Sequence, residues 1–183
     1  MSNPGDLLGA IQFAAERHRN QRRKDADASP YINHPIAVAH LLATVGEVSD
    51  ISVLMAAILH DTIEDTGTTV DELRSLFGAE VAQIVSEVTD DKTLPKQKRK
   101  DLQVQFAPEK SHNAALIKIA DATCNLRDLV DAPPSGWSLD QRREYFNWAA
   151  QVVERLCCDN ASLLLAFGIA HGRGDREFSP MRA

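Results

Sequence analysis

The sequence predicts an all-α protein, a compact bundle of about eight to ten helices, on three observations. Apolar residues recur with helical spacing almost throughout. Capping signals stand where such runs would begin, and almost no segment alternates with period two. The chain has 183 residues and 44% hydrophobic content, enough to bury one core.

The elements follow in order. Leu7, Leu8, Ile11, Ala15 and His18 mark one face of a first helix. Pro35 suits the first turn of a second, where its missing N–H costs nothing, and Ile36, Val38, Ala39, Leu42 and Val45 follow it. Ser49 or Asp50 caps a third that carries Val53, Leu54, Ala57 and Ile58. Thr69 to Glu72 has the form of a capping box for a fourth, which Gly78 closes. A fifth spans roughly Ala79 to Thr89, and Pro95 opens a basic sixth. Ala115, Leu116, Ile119, Leu126 and Leu129 define a long seventh, ended by Pro133 and Pro134. Ser138 to Gln141 begins an eighth with Tyr145, Trp148, Val152 and Leu156, and a ninth covers about Ala161 to Ala170. Residues 1–172 therefore form a single domain, and the polar residues 173–183 are expected to be a loose tail.

Composition excludes several classes. No stretch approaches the ~20 apolar residues of a membrane helix, and the first twenty residues lack a secretory pattern, so a cytoplasmic protein without membrane attachment is expected. Three cysteines without C-x-x-C spacing give neither a disulfide framework nor a thiolate metal site; burial as small hydrophobes is expected of them. A net charge of -6 argues against nucleic acid as a partner. Basic residues nonetheless crowd Arg17 to Lys24 and Lys92 to Lys100; on their own these read as two solvated faces, although such clusters suit a small polyanion better than a long one.

The chemistry concentrates in Leu59-His60-Asp61-Thr62-Ile63-Glu64-Asp65-Thr66. On a continuous helix His60 and Glu64 would share a face, and a cation at its edge could accept His60 and Asp61 together. His34 precedes Pro35 at the mouth of the second helix, and Asp121 interrupts an apolar run. Taken alone, His60-Asp61 fits a solvated helix end, His34 a cap, and Asp121 a salt bridge with Arg127. Taken together, the order His…His-Asp…Asp offers two imidazoles and two carboxylates, a ligand set for Mn, Fe or Zn.

These residues resemble a known family. His34, His60, Asp61 and Asp121 match the four metal ligands of HD-domain phosphohydrolases. Arg22-Arg23-Lys24, Pro30 to Pro35, His60 to Thr66, Glu87 to Lys92 and Asn125 to Leu129 are similar to the hydrolase domain of RelA/SpoT proteins, and most of all to small alarmone hydrolases of the metazoan SpoT-like branch. The resemblance covers roughly Ala10 to Leu156. It implies an HD-domain bundle, one Mn2+ ion, and removal of the 3′ pyrophosphate from (p)ppGpp and, in some members, (p)ppApp. It also makes an NADPH 2′-phosphatase or a non-catalytic alarmone sensor the alternatives. Ala122 and Cys124 stand where the family usually has a basic residue and an aromatic or His, which bears on substrate preference.

The expected site follows from that resemblance. His34, His60, Asp61 and Asp121 would hold the ion, while Glu64 and Asp65 would orient the attacking water and handle its proton. Arg23, Lys24, Asn125, Lys92 and Tyr145 would contact the nucleotide, with Lys96 and Arg143 as further candidates. His18, His40, His112 and His171 are assigned to packing or surface. The substrate would be the one small-molecule partner, and a homodimer is compatible with the sequence.

Overall fold

A computed structural model describes residues 3–178, and the described residues form helices and loops without named strands. Helix starts coincide with side chains able to accept the backbone N–H groups that a helix leaves unpaired. Asn3 opens α1 (Pro4–Arg17), accepting from Gly5 N while Asp6 accepts from Asn3 N. Pro35 lies in the first turn of α2 (Asn33–Thr44), and Asp50 caps α3 (Ile51–Leu59) through Ser52 N. A single turn, α4 (Thr62–Asp65), leads to α5 (Val70–Phe77), which Thr69 caps through Glu72 N. The reciprocal half of that predicted box is absent, because Glu72 pairs with Arg17 of α1 instead. Gly78, at φ +91, turns the chain directly into α6 (Ala79–Val88), a conformation that favours glycine.

The basic segment forms α7 (Lys96–Phe106), followed by a 3₁₀ turn over Ala107–Glu109 that the sequence did not signal. Ser111 then caps α8 (His112–Asp131), Ser138 and Gln141 form the expected full capping box of α9 (Leu139–Arg155), and α10 spans Ala161–Phe178.

Two helices organise the core. In α3 every residue from Ser52 to Leu59 is buried, and it lies against α1, α2, α6 and α8. The longer α8 buries Ala114 to Ile117, Ile119, Ala120, Thr123, Cys124, Leu126 and Leu129 against α2, α6, α9 and α10. Helix α7 buries no residue; it rests on α9, where Trp148 Nε1 donates to Lys100 O at 3.2 Å. The cysteines divide: Cys124 is buried, Cys158 half-buried and Cys157 exposed, so burial accounts for only part of that set. No helix of the described residues is long and apolar enough to cross a membrane.

The expected loose tail is corrected over its first part. Helix α10 continues through residues 173–178, and Phe178 is buried with its ring edge-on to Phe146 at 5.0 Å. Glycine is the reason the helix can lie so close, since a Cβ on Gly174 would fall inside the van der Waals envelope of the Phe146 ring. Arg143 donates to Phe178 O and so ties α9 to this end, which gives it a structural partner away from the site. Residues 179–183 of that expectation lie outside the described residues.

Alanine normally stabilises a helix by about 0.5–1 kcal/mol over glycine. At Gly174 overpacking, at about 1–3 kcal/mol, should outweigh that gain. Thermal melting of Gly174→Ala is expected to fall by roughly 2–6 °C. Gly168→Ala, with nothing within 4 Å of its Cβ, is expected to melt no lower than the parent. Equal melting of the two variants would contradict this packing account.

Candidate metal centre

The His60-Asp61 pair sits at a break between helices. Helix α3 ends at Leu59, and His60 and Asp61 link it to α4. The single helix face expected for His60 and Glu64 is thereby corrected. Side chains take up carbonyls around the break: Thr62 Oγ1 donates to Leu59 O at 2.6 Å, and Thr66 Oγ1 to Thr62 O at 2.5 Å. His60 Nδ1 donates to Ala57 O at 2.8 Å. A carbonyl only accepts, so Nδ1 carries a hydrogen and Nε2 is the free valence of the ring.

That Nε2 is buried and has no hydrogen-bond partner. Around it lie Asp61 Oδ2 at 3.1 Å and Asp121 Oδ1 at 3.9 Å. Asp121 Oδ1 is also 3.0 Å from His34 Nε2, brought in from the start of α2. His34, His60 and Asp121 each offer one ligand atom, all within 4.8 Å of one another. Asp61 stands beside this group of three, and its Oδ2 accepts from Tyr31 Oη at 2.5 Å. Arg127 is not the partner of Asp121; His34 and Asn125 are.

The donor set fits a divalent cation. An imidazole held by a backbone hydrogen bond on one nitrogen, with the other bare and buried, is how proteins present histidine to a metal. The electrostatics agree. Burial opposes the charged form of His60, but the carboxylates of Asp61 and Asp121 outweigh it and raise its pKa to about 9. Burial likewise opposes ionisation of Asp61 and Asp121, yet the neighbouring rings hold both carboxyls below the usual range. The negative site thus holds a proton where it could hold a cation.

Glu64 and Asp65, adjacent in sequence, face different spaces. Glu64 lines a cavity of about 180 Å³ with His34, His60, Asp61 and Asp121. Its Oε2 accepts from Asp90 N at 3.2 Å, and Oε1 lies 3.6 Å from Arg99 and 3.8 Å from Lys92. Burial, with Asp90 and Asp61 nearby, raises its proton affinity. Asp65 instead lines an outer cavity of about 620 Å³. It accepts from Gln21 Nε2 at 2.7 Å and pairs with Lys92.

The outer cavity also takes Arg23, Lys24, Asn125 and Tyr145, and it shares Arg23, Tyr31, His34, Asn125 and Tyr145 with the inner one. Asn125 connects the two: Nδ2 donates to Asp121 Oδ1 at 2.7 Å, and Oδ1 accepts from Arg23 at 3.2 Å. Arg23 also reaches Asp128 and lies 5.8 Å from the centre of the Tyr31 ring. Lys92 is not among the residues lining either cavity, and its ammonium pairs with Asp65. Lys96 lies over the Trp137 ring at 5.6 Å. His40 and His112 are exposed, and His171 packs among Phe146 and Phe167.

Several lining residues escaped sequence reasoning. Tyr31 stood inside a quoted motif but carried no metal-ligand signature. Lys118 lies one turn before Asp121 on α8 and lines the inner cavity, and that spacing was a usable signal. Asp90 and Gln103 line that cavity from a loop and from α7, which nothing local ties to His60, and Arg99 of α7 reaches Glu64 from beside it.

A match to the HD domain family runs over residues 10–152. The chain belongs to the HD-domain family. It is 55% identical over 162 residues to the zebrafish (Danio rerio) guanosine-3′,5′-bis(diphosphate) 3′-pyrophosphohydrolase MESH1, covering 88% of this chain and 90% of that one. The human (Homo sapiens) MESH1 is 56% identical over the same coverage. A solved metazoan SpoT ortholog, described as hydrolysing ppGpp and acting in starvation responses, superposes with a TM-score of 0.90 at 43% identity, over 94% of this HD-domain chain and 97% of its own.

Proposed function

We propose that this chain hydrolyses the 3′-linked pyrophosphate of guanosine-3′,5′-bis(diphosphate), with Mn2+ as its working ion, in the cytoplasm. The observation that carries the proposal is the buried, unpartnered Nε2 of His60 facing His34 and Asp121. The identity to MESH1 relatives supplies the substrate. The same chemistry extends to adenine alarmones.

In this reading His34, His60, Asp61 and Asp121 hold the ion, and Tyr31 holds Asp61 in place. The ion, when bound, polarises the phosphoryl group and favours ionisation of water at neutral pH. Arg23 and Lys24 bind the nucleotide, and Asn125 fixes Arg23 relative to Asp121. Arg23 suits a base plane or a phosphate fork, Lys24 a phosphate charge. Tyr145 borders both cavities and offers a face to the base. Glu64 takes the proton of the water that attacks the 3′-linked phosphorus. The phosphorus–O3′ bond breaks, O3′ takes up the proton that Glu64 accepted, and pyrophosphate and GDP separate.

The test is a panel of ppGpp, pppApp and NADPH with Mn2+, following pyrophosphate and orthophosphate separately. Pyrophosphate is expected from the first two. Orthophosphate from NADPH as the sole product would replace the proposal with a 2′-phosphatase. Tight binding of ppGpp without turnover would make the chain a sensor.

A further inference from the structure

We infer that His18 and Gln21 are positioning residues, a buried relay that locks the Asp65 carboxylate in the wall of the nucleotide cavity. This rests on the proposed hydrolysis and on the role the sequence leads us to expect for Asp65, orienting the attacking water alongside Glu64.

The relay follows from donor and acceptor counting. The Asp65 carboxylate, paired with Lys92, only accepts. The group of Gln21 that meets it at 2.7 Å must therefore be the Nε2 amide, which turns Gln21 Oε1 away. Oε1 meets His18 Nδ1 at 2.6 Å, so Nδ1 carries the hydrogen and donates. One orientation of each group satisfies the chain, and a flipped Gln21 would set oxygen against oxygen. His18 is 2% exposed, and its Nε2 is buried without a partner. A leucine would fill that space without leaving a bare polar atom. The histidine is explained by what Nδ1 does.

The surroundings hold the relay rigid. Gln21 N donates to His18 O at 2.8 Å, and Tyr31 N donates to Gln21 O at 3.2 Å. The His18 ring packs on the Tyr31 ring with centres 4.9 Å apart. Tyr31 in turn donates to Asp61. The His18–Gln21 turn thus sends one arm to Asp65 by hydrogen bonds and touches the arm to Asp61 by packing. With Gln21 on one oxygen and Lys92 on the other, Asp65 keeps one rotamer. A carboxylate so held needs no reordering when substrate arrives.

The experiment is a double-mutant cycle on ppGpp hydrolysis in the Mn2+-loaded protein. Gln21→Met keeps the side-chain length and removes both hydrogen bonds. It is expected to lower kcat by roughly ten- to a hundredfold, the range of outer-shell partners. KM should move less than threefold and Mn2+ stoichiometry should stay unchanged. In an Asp65→Asn background the same change should cost almost nothing further, since Gln21 acts through that carboxylate. At His18, where folding is at risk, Asn retains a donor near the Nδ1 position and Leu does not. His18→Asn is expected to keep more kcat than His18→Leu although Leu fills the cavity better. Loss of kcat that multiplies in the Asp65→Asn background would overturn the relay, as would a Leu variant that outperforms Asn. Full activity of Gln21→Met beside an impaired Asp65→Asn would overturn the relay alone. Full activity of Asp65→Asn would overturn the role of Asp65 itself.

Discussion

His60→Ala is expected to lose Mn2+ uptake and hydrolysis together, with kcat/KM down about a thousandfold or more. The ring is 5% exposed, fixed by Ala57 O, and contributes the one buried nitrogen around which Asp61 and Asp121 gather. Asp121→Asn should reproduce the loss with less disturbance of the fold, because the amide keeps the shape between His34 and Asn125. The sign of the pH dependence follows from the raised pKa of His60. In the metal-free protein that ring holds a proton up to about pH 9, so an ion must expel it to bind. Affinity is therefore expected to climb about tenfold per pH unit through neutrality and to level off near pH 9. Calorimetric titration in buffers of different ionisation enthalpy should register proton release at neutral pH. Mn2+ affinity of His60→Ala equal to the parent, or uptake without proton release, would remove His60 from the centre.

Much of the bundle was legible in sequence because its signals are local. Asp50, Thr69, Gly78 and Ser138 stand at helix ends, where a side chain or a left-handed turn determines the boundary. What was lost depends on partners distant in sequence. The Thr69 capping box is half formed because Arg17, on another helix, competes for Glu72. The end of α10 is helical because Gly174 and Phe178 meet Phe146, which no window around residue 174 contains. The site divides the same way. His34, His60 and Asp121 were readable because residue type and order carry a ligand pattern, and their ligand atoms do converge. The separate destinations of Glu64 and Asp65 were not readable, since neighbours on one helical turn give no sign of which cavity each will face.

That separation gives Glu64 the larger chemical burden, and Glu64→Gln is expected to lower kcat by about a hundred- to ten-thousandfold. Glu64 opens onto the same space as the candidate metal ligands without being one of them, and its neighbour there, Asp90, has its Oδ2 taken by Gln103. Its raised proton affinity suits a group that must accept a proton from water at neutral pH. The burial that raises it also removes the competing solvent. Glutamine keeps the volume and can still accept from Asp90 N, so the fold and the ion should survive. KM and Mn2+ stoichiometry are expected within about threefold of the parent, which separates loss of chemistry from loss of binding. The parent's rate should rise with pH on the acid side as this carboxyl ionises, above the ordinary carboxylate range, and that limb should vanish in the variant. A Glu64→Gln enzyme with parental kcat would hand the proton to another group. Asp90 in the inner cavity and Asp65, held by Gln21 and Lys92 in the outer one, would then be the acids left to receive it.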